Sequence, residues 1–232
     1  MAADAILWDY DGTLVNSAPK NISVTKDILS EVAPHLSGSG LPGYLKSESR
    51  YHEANHAAVN WRDLYTSFFG LTLEEADLAG TLWSEHQRRN TTPVTLFDGI
   101  IDVIRTFAHI PHGICSQNSA ANILALLDAL MIASYFKSVA GYEDVPFDRQ
   151  KPAPDAGLMC LARIFGEVRN KILLVIGDHE ADVMFARNIS RDIDDSNTVI
   201  SIAVSYSGAD PEAWGHRPDK VISTPQELAE FL

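Results

Sequence analysis

Short apolar runs that alternate with helical patterns most limit what this chain can become. The runs fall at 5–8, 112–115, 138–141, 171–176 and 198–204, with a smaller one at 220–223. Between and after them, apolar residues recur at three- and four-residue spacing over 99–108, 120–130, 153–165, 180–189 and 226–232. The last of these segments opens with Thr224 as N-cap and Pro225 at the first helical position. Strands that are apolar throughout are buried on both faces, and strands alternating with helices join through crossovers. The expectation is an α/β fold, with a parallel sheet core covered by helices on both faces.

One interval breaks the alternation. From 17 to 91 the pattern is helical throughout, over 19–33, 48–59, 61–69 and 73–88, with no convincing strand. Ser37-Gly38-Ser39-Gly40-Leu41-Pro42-Gly43 separates the first two segments, and Thr91-Thr92-Pro93 marks the return. The expected organisation is a core built from 1–16 and 92–232 with an all-helical cap domain inserted at 17–91.

Charge and composition narrow the function. The formal net charge is −13 over 232 residues and no basic stripe exists, which argues against nucleic-acid and anionic-membrane partners. No apolar run approaches the roughly 20 residues that cross a bilayer. The N-terminus carries acids before any base, unlike a secretory signal, so a soluble cytoplasmic protein is expected. The Asn-x-Ser/Thr triplets at Asn21, Asn90 and Asn188 are then chance matches. Cys115 and Cys160 sit in apolar stretches without metal-ligand spacing and read as reduced, buried thiols.

In an open parallel sheet the ligand lies beyond the carboxyl ends of the strands, so the residues after each run are where chemistry belongs. After the first comes Asp9-Tyr10-Asp11-Gly12-Thr13-Leu14. Two acids two residues apart beside a buried strand need a reason, since desolvated charge is costly. One carboxylate can act as nucleophile while its neighbour moves a proton, and Gly12 lets the chain turn away. After the second comes Ser116-Gln117-Asn118-Ser119, whose hydroxyl and backbone N–H groups suit phosphate oxygens, although Asn118 or Ser119 would equally serve as a helix cap. The third loop places Lys151 ahead of Pro152-Ala153-Pro154-Asp155, a fixed positive charge among carboxylates. The fourth run ends in Gly177-Asp178-His179-Glu180-Ala181-Asp182, where two acids one helical turn apart can converge on a hard cation.

These four motifs, in this order and spanning nearly the whole chain, resemble the haloacid dehalogenase-like superfamily. The stretch 9–19 and Lys151-Pro152-Ala153-Pro154-Asp155 look like its phosphoglycolate phosphatase-type members, with Asn16 standing where that branch commonly has Asp. The resemblance implies a Rossmann-like core and a helical cap of the C1 type, with Leu96-Phe97-Asp98-Gly99-Ile100 as the return into the core. It implies a Mg²⁺-dependent phosphatase acting on a small-molecule phosphate ester through an aspartyl-phosphate. Asp9 would be nucleophile and metal ligand, and Asp11 general acid/base with its main-chain carbonyl on the metal. Ser116 and Lys151 would hold the phosphoryl group, with Gly12, Thr13, Gln117 and Asn118 lining the substrate. Asp178 and Asp182 would complete the Mg²⁺ site.

Three alternatives accompany this expectation. Dehalogenases lack the second acid, which here is Asp11. A β-phosphoglucomutase-like phosphotransferase shares all four motifs. A non-enzymatic receiver-like switch also combines acids with a lysine, but in a chain about half as long and without a cap. Substrate choice would rest on cap residues, and Lys20, Lys46, Arg50, His52, His56 and Arg62 are the polar candidates, each also explicable as a solvated face.

Overall fold

A computed structural model describes residues 2–231, so Met1 and Leu232, the last residue of the expected 226–232 helix, lie outside the described residues. The chain divides into two units, one formed by the segments up to Val15 and from Leu96 onward, the other by Asn16–Thr95.

The first unit is built on six parallel strands: β1 (Ala5–Trp8), β2 (His112–Cys115), β3 (Phe136–Ala140), β4 (Ile172–Gly177), β5 (Thr198–Val204) and β6 (Lys220–Ile222). Their spatial order is β3-β2-β1-β4-β5-β6, the doubly wound arrangement, in which the order reverses beside the first strand. The interior strands β1 and β2 are buried along their whole length, as parallel strands covered on two faces must be. Side chains alternate between the faces: Leu7 and Val175 pack with Cys160, Leu161 and Phe185 on one side, so Ile6 and Trp8 point to the other. Each fully buried aliphatic of this kind contributes about 1.5–3 kcal/mol relative to exposure.

On that second face the indole N–H of Trp8 donates to His112 Nδ1 at 2.9 Å, and His112 Nε2 lies 3.1 Å from the Phe107 carbonyl. With Nδ1 accepting, the ring proton sits on Nε2 and donates to Phe107, so the imidazole is neutral. Burial holds its pKa down at about 4, against the pull of that carbonyl.

The structure differs from the sequence expectation at several element ends and in the type of two helical segments. Strand β3 begins at Phe136 rather than 138 because Lys137 interrupts the apolar run; its alternating burial is that of an edge strand with Lys137 in solvent. The expected α-helix at 226–232 is instead a 3₁₀ segment, Pro225–Glu230. Thr224 does not cap it, because its hydroxyl donates to the Glu227 carboxylate rather than accepting a backbone N–H.

The second unit is helical: Ala18–Val32, Glu48–Ala57, Trp61–Asp63 continuing into a π-turn at Leu64–Phe68, and Leu73–Arg89. Ser47 and Asn60 cap their helices, and Thr72 with Glu75 forms a reciprocal capping box. Tyr51, Tyr65 and Phe69 meet at its centre, with ring centroids 5.4 Å apart for Tyr65 and Phe69, and the buried Tyr65 hydroxyl lies 3.4 Å from that of Thr25.

Candidate active site

The strand order decides which loops can meet. Trp8 pairs with Ile114 on one side and Ile176 on the other, so Asp9 leaves β1 flanked by the ends of β2 and β4. Its N–H is fixed to the Ile176 carbonyl at 2.8 Å. This is the crevice at which the strand order reverses.

Three carboxylates converge there. Asp9, Asp178 and Asp182 each offer an oxygen, all within 4.8 Å of one another. Two glycines make the approach feasible. A Cβ at Gly12, whose φ is +79°, would lie 2.0 Å from Asp178 Oδ2, and one at Gly177 would lie 2.2 Å from the Asp182 carboxyl carbon. Asp182 sits one turn into the helix Glu180–Asp192 and accepts the His179 N–H at 3.1 Å, while His179 Nδ1 accepts the Ala181 N–H at 3.1 Å. His179 is thus the helix cap, a role the sequence does not announce because caps are ordinarily Ser, Thr, Asp or Asn.

Lys151 closes the cluster, with Nζ 2.7 Å from both Asp9 Oδ1 and Asp182 Oδ1 and 5.2 Å from the centre of the Phe185 ring. Burial opposes the charge on this ammonium, but the Asp182 and Asp9 carboxylates outweigh it and hold its pKa above the usual amine range. Asp9 is pushed well above the usual carboxylate range, first by burial and then by Asp182 and Asp178, with Lys151 pulling the other way. If all three ionise, the carboxylates set against one ammonium carry an excess of two negative charges. A divalent cation with oxygen preference fits that deficit and donor set.

The opposite side of the crevice sets one acid, Asp11, among uncharged polar groups. Ser116 is buried and its Oγ accepts the Asn118 N–H at 3.0 Å; the Asn118 amide donates to Asp11 Oδ2 at 2.9 Å. Thr13 is buried with Oγ1 3.5 Å from Asp178 Oδ1, whereas Gln117 is exposed and reaches only the Lys151 carbonyl, at 3.4 Å. The helix Ala120–Ala129 receives no side-chain cap from Ser119; Glu143 Oε1 accepts the Ala120 N–H at 2.9 Å instead. Of the cap-domain candidates, Arg62 pairs with Asp77 at 2.6 Å and lies over Trp61, and His52 and His56 stack on each other.

Sequence reasoning missed Tyr206. Its hydroxyl donates to the Thr13 carbonyl at 2.7 Å, and its pKa is raised by burial and by Asp178 and Asp9. The available signal was its place just past the carboxyl end of β5. Among the described residues no helix is long and apolar enough to cross a membrane.

Comparison with known proteins bears on the family and the fold. Residues 6–192 match the family model for haloacid dehalogenase-like hydrolases. A phosphoglycolate phosphatase of Mesorhizobium japonicum is 26% identical over 100% of this chain and 97% of its own length. One from Photorhabdus laumondii is 28% identical over 79% of this chain and 75% of its own. Among solved structures, a Lactobacillus plantarum protein described as a putative phosphoglycolate phosphatase superposes with a TM-score of 0.76 at 19% identity, covering 100% of both chains. A Bacteroides fragilis protein described as a putative haloacid dehalogenase-like hydrolase gives 0.77 at 19% identity, covering 97% of this chain and 99% of that one. With a Rossmann-like sheet, the strand-end motifs in order and the family model spanning most of its length, this chain belongs to the haloacid dehalogenase-like hydrolases.

Proposed function

We propose that the chain is a Mg²⁺-dependent phosphatase that hydrolyses a small phosphate monoester of the phosphoglycolate or sugar-phosphate kind through an aspartyl-phosphate on Asp9. The observation that carries this reading is Lys151 Nζ held 2.7 Å from both Asp9 and Asp182, with Asp178 in the same cluster. A buried nucleophile, a fixed cation and a set of hard oxygen donors suit phosphoryl transfer, which depends on placement and charge compensation. The substrate class rests on the phosphoglycolate phosphatases to which the chain is similar.

Asp9, Asp178 and Asp182 would hold Mg²⁺, which when bound supplies charge stabilisation to the phosphoryl oxygens. In the first half-reaction an Asp9 carboxylate oxygen attacks phosphorus, the phosphorus–oxygen ester bond breaks, and the departing oxygen takes a proton from Asp11. In the second, Asp11 takes a proton from water as that water attacks the acyl phosphate, and the bond to Asp9 breaks with its electron pair returning to the carboxylate. Lys151 and the Ser116 hydroxyl hold the phosphoryl group throughout, and Lys151 keeps Asp9 oriented.

The test is release of inorganic phosphate from a panel of phosphate monoesters, with Mg²⁺ and after chelation. Turnover of small monoesters that stops on chelation and returns with Mg²⁺ is expected. Conversion of a sugar phosphate to its isomer without free phosphate would instead establish a phosphotransferase. Cleavage confined to protein or nucleic-acid phosphates would remove the small-substrate part of the reading.

A further inference from the structure

We infer that Asn118 is a positioning residue for Asp11: it fixes which carboxyl oxygen carries the proton delivered to the leaving group. This rests on the phosphatase reading above and deepens it. Asn118 is held at four points. Its main-chain N–H donates to Ser116 Oγ at 3.0 Å, and its main-chain carbonyl accepts the Tyr142 N–H at 3.0 Å. Its side-chain Oδ1 accepts the Ser119 N–H at 2.8 Å, and Nδ2 donates to Asp11 Oδ2 at 2.9 Å.

The third of these contacts settles the amide's direction. A backbone N–H can only donate, so the atom facing Ser119 is the oxygen, and the atom facing Asp11 is the NH₂ group. An NH₂ group cannot accept from a carboxylic acid. When Asp11 is protonated, its carbonyl oxygen is the stronger acceptor, so the Asn118 donor on Oδ2 favours the tautomer with the proton on Oδ1. When the leaving oxygen takes that proton, the ester bond's electron pair going with the oxygen, Asp11 becomes a carboxylate and the Asn118 bond becomes charge-assisted. The return step, proton transfer from water to Oδ1, uses the same orientation. Ser116 and Asp11 are tied through one residue, so the phosphate-side loop and the acid/base keep a common geometry. Asn118 also differs from Gln117, which is exposed and offers Asp11 nothing in this arrangement.

A proton donor matters in proportion to how poor the leaving group is. Kinetics of Asn118→Ala on an alkyl phosphate and on p-nitrophenyl phosphate, with Mg²⁺ present, separate a role through Asp11 from a general structural one. The expected result is a fall in kcat for the alkyl ester of about 10- to 100-fold, at least about tenfold larger than the fall for the nitrophenyl ester and no larger than the low end of the roughly 10²- to 10⁴-fold attributed to a general acid itself. Asn118→Gln, which keeps a donor, should recover part of the difference. In an Asp11→Asn background, Asn118→Ala should cost nothing further with the alkyl ester, because the two act as one unit. Equal losses with both esters, a rise in KM at constant kcat, full activity in the variant, or an additive loss in the Asp11→Asn background would each overturn the inference and leave the phosphatase reading standing. No turnover of either ester by the parent chain would overturn the phosphatase reading itself.

Discussion

The two units treat charge in opposite ways. In the helical unit the interior is apolar apart from a few paired hydroxyls and Gln87, and ion pairs such as Arg62–Asp77 lie in solvent. In the sheet unit Asp9, Lys151, Asp178 and Asp182 gather beyond the strands with only small exposure, where burial and the neighbouring Asp182 and Asp178 make ionising Asp9 costly against the pull of Lys151. The contrast extends to helix starts. Ser47, Asn60 and Thr72 are ordinary caps, whereas the helix Glu180–Asp192 is capped by His179 and devotes its N3 carboxylate, Asp182, partly to Lys151. One unit is arranged for stability; the other gives up local stability for a reactive cluster.

That difference is breakable at several points, beginning with the largest effect. Asp9→Asn should reduce phosphate release at least about 10⁴-fold, while the thermal midpoint holds or rises because one crowded charge is gone. A loss of both activity and stability would mean that the cluster is structural. Phe69→Ala in the helical unit should cost about 3–5 kcal/mol by chemical denaturation, the usual result of emptying an aromatic core site. A loss under about 1 kcal/mol would show that the aromatic centre is not what holds that unit.

A pH effect comes next. His112 has a folded pKa of about 4 against an ordinary value of 6.5, so it is neutral in both states above pH 6.5. As pH falls from 6.5 toward 4 the unfolded chain binds a proton that the folded one refuses, and stability is lost. The shift corresponds to about 3 kcal/mol. His112→Gln keeps an acceptor for Trp8 and a donor for Phe107, and should flatten that part of the stability profile; an unchanged slope would assign the effect elsewhere. The smallest effect is Thr72→Ala, expected to cost about 1 kcal/mol by opening the capping box.

The fold was legible to the extent that it follows from periodicity. The strands were readable because buried parallel strands are apolar throughout, and β3 was clipped only where Lys137 marks an edge. The acids were readable because spacing carries their geometry: Asp178 stands in the short turn between a strand and the helix Glu180–Asp192, Asp182 lies four residues on in that helix's first turn, and Asp9 follows a strand. Contacts that depend on distant chain segments were not. Tyr206 reaches Thr13 across 193 residues, a contact that its local place just past a strand end does not reveal. Glu143 caps a helix that starts 23 residues earlier, and the Asn118 amide takes its direction from a neighbour's backbone. The π-turn at Leu64–Phe68 hides inside a pattern that reads as a continuous helix.

The most direct measurement is a rapid acid quench of the chain turning over a small phosphate monoester with Mg²⁺, followed by mass analysis of its peptides. The account expects one added phosphoryl group on the peptide containing Asp9, absent from Asp9→Asn. A phosphoryl group on any other residue, or turnover in which Asp9→Asn matches the parent, would contradict it.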